Sequence, residues 1–172
     1  MYVMGASAGA ALALSVARKV SLQQTKVDSK AVKGVVALGP PTLHSKNIPE
    51  VYRSAHTSFS QNKENVPILS IALMDGFFAD AGIQPDDKDY FAALDRESHQ
   101  LFPPTYIVTC EFDPLRDDGK VLAESLKTSG VDVKMEHYEG LPHCFWLFRS
   151  LPETEVFMRN TVEGMKWLIN KM

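Results

Sequence analysis

The sequence predicts an α/β fold with a mostly parallel sheet of about four strands and flanking helices. Three observations carry that prediction. Short apolar runs at 2–4, 34–40, 105–112 and 131–138 read as strands, and helix-forming stretches alternate with most of them. The stretch 41–100 breaks the alternation, because Pro41, Pro49, Pro67 and Pro85 cut it into short amphipathic pieces. Composition is that of an ordinary globular chain: 45% hydrophobic and 23% charged in 172 residues, long enough to bury a core. Residues 1–172 are therefore read as one domain with an inserted region at about 41–100.

In chain order, Tyr2-Val3-Met4 has strand character and leads into G-A-S-A-G at 5–9. The run from Ala10 to Ala17 contains strong helix formers, and Arg18 and Lys19 supply cations that suit a helix C-terminus. Two other readings of this opening fail. A signal peptide needs a cation before its apolar stretch, and here the first cations follow it. A membrane span needs about 20 mostly apolar residues, and Gly5, Ser7, Gly9, Ser15 and Arg18 interrupt the run.

G-V-V-A-L-G-P at 34–40 is an apolar run closed by Gly and Pro, and it reads as a buried strand. T-Y-I-V-T-C-E-F at 105–112 is the clearest strand. D-P-L-R-D-D-G at 113–119 leads into a helix over 117–129, stopped by Gly130. Residues 131–138 alternate as a further strand, 140–146 form a loop, and 153–170 carry an amphipathic closing helix.

Charge and cysteine content exclude several classes. A net charge of −3 and a pI near 5.9 leave no electrostatic footprint for nucleic acid or an anionic membrane surface. Two cysteines, Cys110 and Cys144, are too few for a disulfide scaffold. They read as free thiols in a reducing compartment, so the expected localisation is cytoplasmic.

Three residues hold comparable positions: Ser7 after the first strand, Asp113 after the third and His143 after the fourth. In a parallel sheet these are all carboxyl ends, the edge where open α/β folds bind ligands. The interval from Asp113 to His143 holds one helix and one strand, enough to leave that edge and return. Chemistry accounts for the residue types. A serine hydroxyl attacks poorly until an imidazole takes its proton, and a carboxylate on the other ring nitrogen fixes the tautomer. The Ala8 N–H, at the helix start, is placed to donate to a developing oxyanion. G-x-S-x-G between a strand and a helix is the nucleophile elbow, and it needs small residues two before and two after the serine where helix turns against strand.

Each residue also has a plain structural reading. Ser7 fits any tight strand–helix junction. Asp113 before Pro114 fits a helix N-cap. His143 fits a solvated loop, like His44, His56, His99 or His137. Order and placement together favour the catalytic reading. Other sites fare worse. G-A-S-A-G-A lacks the middle glycine of G-x-G-x-x-G and no G-K-[ST] follows, so no phosphate-bearing cofactor is expected. Adjacent His143 and Cys144 lack zinc-ligand spacing, so no metal is expected. Phe77, Phe78, Phe91, Phe145, Trp146 and Phe148 read chiefly as core, with one or two lining an acyl site.

With G-A-S-A-G at 5–9, D-P-L-R-D-D-G at 113–119 and G-L-P-H-C-F at 140–145, the sequence resembles the hormone-sensitive-lipase-like branch of the α/β-hydrolases. E-N-V-P-I-L at 64–69 and L-F-P-P-T-Y-I at 101–107 are similar to fungal carboxylesterases of that branch. The resemblance implies Ser7 as nucleophile, Asp113 as orienting acid, His143 as base, and a substrate-covering cap within 41–100. It implies a small-molecule ester substrate and no cofactor. Ala6, Ala10 and Cys144 depart from the branch, which often has Asp, Gly and Gly there. In this branch an H-G-G-G segment upstream of the elbow supplies oxyanion donors. Here only Met1 and three strand residues precede the elbow, so those donors are expected to be absent and the chain to hold the C-terminal half of the fold. The expectation is a carboxylesterase-type serine hydrolase, poorly active alone, with self-association through the exposed sheet edge. The alternative is an inactive remnant that binds a partner or an apolar small molecule.

Overall fold

The computed structural model describes residues 1–171. In chain order its elements are β1 (Tyr2–Ala6), α1 (Ala8–Ser21), β2 (Gly34–Leu38), α2 (Glu50–Arg53), α3 (Ser58–Gln61), α4 (Ile71–Asp80), β3 (Thr105–Phe112), α5 (Arg116–Thr128), β4 (Val133–Pro142) and α6 (Pro152–Ile169). Short 3₁₀ turns lie at Ala92–Leu94, Arg96–Leu101 and Phe145–Leu147. The four strands form one parallel sheet in the order β1-β2-β3-β4. Every strand therefore ends on the same edge.

All of β2 and the first six residues of β3 are buried, which is why both read as continuous apolar runs. Side chains alternate between two cores. Val35, Ala37 and Ile107 pack with Leu14 and Ala17 of α1 and Leu122 and Leu126 of α5. Val36, Leu38, Tyr106 and Val108 pack with Phe145 and with Phe157 and Leu168 of α6. Helices thus cover both faces of the sheet's centre. Gly164 is required in α6, because a Cβ there would lie 2.7 Å from the Tyr106 ring.

Several expectations shift. The helix expected over 117–129 begins at Arg116 and ends at Thr128, with Gly130 in the left-handed region just beyond. The strand expected over 131–138 runs instead from Val133 to Pro142, through part of the expected loop. It does so across an irregularity: Cys110 pairs with Tyr138 but Phe112 pairs with Pro142. The Glu111 carboxylate fills that gap by accepting the Gly140 N–H at 2.6 Å. Arg18 lies in the last turn of α1, as expected. It is buried, and its guanidinium donates to Asp95 and Asp89, tying α1 to the segment before β3.

The histidines also depart from expectation. His44, His56 and His99 are buried rather than solvated, because each has polar partners inside the fold. His99 bonds Ser125 Oγ and the Ala92 carbonyl, and His56 bonds Asp118. Burial pushes the Asp118 carboxyl above its usual range despite its bonds to His56 and to the Thr42 and Leu43 N–H groups. Among the described residues no helix is long and apolar enough to cross a membrane.

Candidate active site

Ser7 joins β1 to α1 with φ 53° and ψ −124°, a left-handed conformation that a side chain adopts only under strain. Two bonds hold it there. Its N–H donates to the Leu38 carbonyl at 2.8 Å, and its own carbonyl accepts the Ala10 N–H at 2.8 Å. Gly5 makes the turn feasible, since a Cβ at that position would sit 2.0 Å from the Gly9 carbonyl oxygen. Gly9 is different. Nothing lies within 4 Å of a Cβ built there, so the expected need for a small residue on that side is not met by crowding. It is the Gly9 backbone, not the absence of its side chain, that Gly5 accommodates.

Asp113 follows β3 and is fully buried. Its carboxylate divides its work: Oδ1 accepts the Leu115 N–H at 2.8 Å, and Oδ2 faces His143 Nδ1 at 2.7 Å. Asp113 is not the N-cap of α5, as its plain reading had it: the helix starts later, with Leu115 in the cap position and no side-chain cap, and the Oδ1 bond closes the turn ahead of it. His143 follows β4, and its Nε2 lies 2.9 Å from Ser7 Oγ. Cys144, next in the chain, turns left-handed with φ 53° and carries the chain into the 3₁₀ turn. Partners 30 and 136 positions apart in the sequence meet in one hydrogen-bonded line.

Burial alone would push the His143 imidazole down. The hydrogen bond that the ring donates to Asp113, the neighbouring Cys144 sulfur and the carboxylate's charge outweigh it and hold the ring above its ordinary 6.5. Ala8 begins α1, so its N–H has no intrahelical acceptor and lies at the positive end of the helix dipole. Burial also pushes the Cys110 thiol up, which keeps it protonated and unreactive; both cysteines are free and buried.

A cavity of about 400 Å³ opens beside Ser7 and Ala8. Leu12, Pro41 and Leu115 line it together with residues between Leu69 and Tyr90. Besides Ser7, Tyr90 is the only lining residue with a polar side chain. Of the aromatic residues expected to be chiefly core, Phe78, Phe91 and Phe145 are buried and Trp146 is half-buried, whereas Phe77 and Phe148 are exposed because little packs over them; Phe77 and Phe78 line the cavity. The sequence reading missed Gly39. With φ +57°, its backbone abuts the site, and a Cβ there would lie 3.2 Å from His143 Cε1 and 3.6 Å from Asp113 Oδ2. The L-G-P at the end of a buried strand was its only signal. Among the described residues no group of three or more His, Cys, Asp or Glu side chains is arranged to hold a metal ion.

Residues 1–147 match a family profile described as alpha/beta hydrolase fold. The chain belongs to the alpha/beta hydrolase family. Its motifs at 5–9, 113–119 and 140–145 place it in the hormone-sensitive-lipase-like branch. A versiconal hemiacetal acetate esterase of Dothistroma septosporum is 44% identical over 171 residues, covering 99% of this chain and 52% of that protein. The protein of the same name from Aspergillus parasiticus is 33% identical, covering 98% of this chain and 53% of its own length. The crystal structure of vibralactone cyclase superposes with a TM-score of 0.89 at 33% identity, over 99% of this chain and 50% of that one. This alpha/beta hydrolase chain therefore spans about half the length of these relatives.

Proposed function

We propose that this chain supplies the reacting groups of a serine carboxylic-ester hydrolase that works through an acyl-enzyme on small or medium apolar esters. One observation carries the reading: Ser7, His143 and Asp113 form a continuous line of hydrogen bonds of 2.9 and 2.7 Å at the carboxyl edge of a parallel sheet. Ser7 Oγ attacks the ester carbonyl carbon while His143 Nε2 takes its proton. Asp113 holds the ring in the tautomer that leaves Nε2 free to accept, and it stabilises the imidazolium that forms. The Ala8 N–H donates to the oxyanion. Collapse breaks the bond to the alcohol oxygen, His143 returns the proton to it, and water then hydrolyses the acyl-serine by the same steps.

The cavity supports the substrate class. About 400 Å³ lies within the usual range for ligand pockets, and its walls are almost wholly apolar. Seven of its twelve lining residues lie between 69 and 90, which supports a covering role for the inserted region at about 41–100. The names of the relatives point to an acetate ester, so p-nitrophenyl acetate and butyrate are the first substrates to use. A fluorophosphonate probe tests the reading directly. It should label Ser7 in the intact chain and not in Ser7→Ala; an unlabelled intact chain, or labelling that survives the substitution, overturns it.

A second reading is a binding module that uses the edge of β1, by self-association or with a partner. It is favoured by the position of β1, which pairs only with β2 and leaves Met4 51% exposed. Size-exclusion chromatography with an esterase assay separates the two. A self-associated or partner-bound species without turnover favours the module.

A further inference from the structure

Asn62 lies just beyond α3, buried beneath the loop that carries Asp113. Its side-chain amide has two hydrogens, and both have acceptors: the Glu111 carbonyl and the Asp113 carbonyl, each at 2.9 Å. These carbonyls flank Phe112, where the pairing of β3 with β4 has just lost its regular register. A regular ladder fixes the end of a strand through its neighbour's backbone. Here one side chain from 51 positions away takes that place.

The same segment grips the acid loop at further points. Ser58 Oγ donates to the Pro114 carbonyl at 2.6 Å, and Asp117 Oδ2 accepts the Thr57 and Ser58 N–H groups at 2.8 Å each. His56 Nε2 lies 2.8 Å from Asp118 Oδ2. Of this segment's side chains only Asn62 bonds to Asp113 itself. The Arg116 N–H also reaches the Asp113 carbonyl, at 3.0 Å, but that bond belongs to the turn that moves with Asp113 and does not tie it to the rest of the fold.

We propose that Asn62 is a positioning residue for the Ser7–His143–Asp113 line: by holding the backbone on both sides of Phe112, it sets the direction in which Asp113 presents Oδ2 to His143. The proposal rests on the reading of those three residues as the reacting set. It gives the inserted region a task beyond covering the cavity. Without the amide, the half-buried Glu111 carbonyl and the Asp113 carbonyl both lose this donor, and the strand end is free to shift. Asp113 moves with it, and its contact with His143 lengthens.

The test follows the His143 ring by NMR against pH in the intact chain, in Asn62→Ala and Asn62→Ser, and in a Ser58→Ala control, with thermal melts and fluorophosphonate labelling alongside. Ser58 Oγ holds the Pro114 carbonyl and touches neither of the two that Asn62 holds. The ring's midpoint should fall by about 1 unit in Asn62→Ala, because the carboxylate that favours the imidazolium has moved away. It should fall less in Asn62→Ser, which keeps one donor, and should hold in Ser58→Ala. The labelling rate should fall about tenfold or more in Asn62→Ala, and with an ester substrate the loss should appear in kcat while KM holds.

An unchanged midpoint in a folded Asn62→Ala overturns the proposal, as does an equal fall in Ser58→Ala. If both Asn62 variants fail to fold, the intact chain decides. Slow solvent exchange of the Asn62 amide hydrogens upholds it, and exchange as fast as that of the exposed Asn170 amide overturns it. A Ser7 that never labels, beside a His143 midpoint that moves as expected, removes the enzyme reading and leaves the positioning of Asp113 standing.

Discussion

Replacing Gly5 with alanine puts a methyl carbon 2.0 Å from the Gly9 carbonyl oxygen and 2.1 Å from its carbon. Close carbon–oxygen contacts in proteins lie near about 3.3 Å, so the overlap is more than about 1 Å. The obstacle is the backbone of the first turn of α1, not the end of a flexible side chain. Overpacking a filled site costs about 1–3 kcal/mol, and more where backbone must move. We expect a loss of about 3 kcal/mol or more, a fall in melting temperature of about 6–12 °C for a chain of this size. Gly9→Ala is the counterpart. Its added carbon meets nothing within 4 Å, and it replaces a glycine inside a helix. That change should stabilise by about 0.5–1 kcal/mol, raising the melting temperature by about 1–4 °C. Circular-dichroism melts and the rate of Ser7 labelling read both variants. Gly5→Ala should also lose labelling, because displacing the start of α1 carries Ser7 Oγ away from His143 Nε2. A Gly5→Ala chain melting within about 2 °C of the parent, or a Gly9→Ala chain equally damaged, would refute this account of the elbow.

Three further outcomes are expected. Labelling of Ser7 should fall as the pH drops through the raised pKa of His143, so its acid limb should lie above 6.5. Stability has the opposite sense: the bond between the His143 imidazolium and Asp113 contributes fully below 6.5 and is lost as the pH rises through the raised value. Denaturant titrations of the parent and His143→Gln should therefore differ most at acid pH. Asp113→Asn should lower the labelling rate about 10⁴-fold while the fold persists, because an amide favours the wrong imidazole tautomer; a loss under tenfold would argue against an orienting role. Phe77→Ala and Phe78→Ala should separate stability from specificity. Phe77 is 57% exposed, so its loss should stay within about 0.5 kcal/mol and shift preference toward longer acyl chains. Phe78 is 4% exposed and packed 5.2 Å from Phe91, so its loss should cost about 3–5 kcal/mol in melts.

Much of this site was legible before any coordinates. The strands β1, β3 and β4 announced themselves through apolar runs and turn residues, which act over a few positions, although β1 and β4 end later than those runs do. Because parallel strands deliver their carboxyl ends to one edge, Ser7, Asp113 and His143 could be assigned to that edge from order alone. The scaffolding around them was not legible. Asn62 and His56 lie in stretches without periodicity, and their bonds to Glu111, Asp113 and Asp118 span 49 to 62 positions. His44, His56 and His99 read as solvated because a polar side chain in a loop carries no sign of the partner that permits its burial.

The order of residues alone indicated which groups share the rim and called for small residues two before and two after the serine, a need that the fold shows at Gly5 and not at Gly9. Only the folded chain settled how they are held: Gly39 against the imidazole, Asn62 behind the carboxylate, and residues 69–90 as the cavity wall. The physical reason is range. Propensity and alternation act between near neighbours, whereas a buried hydrogen bond depends on where distant parts of the chain come to rest.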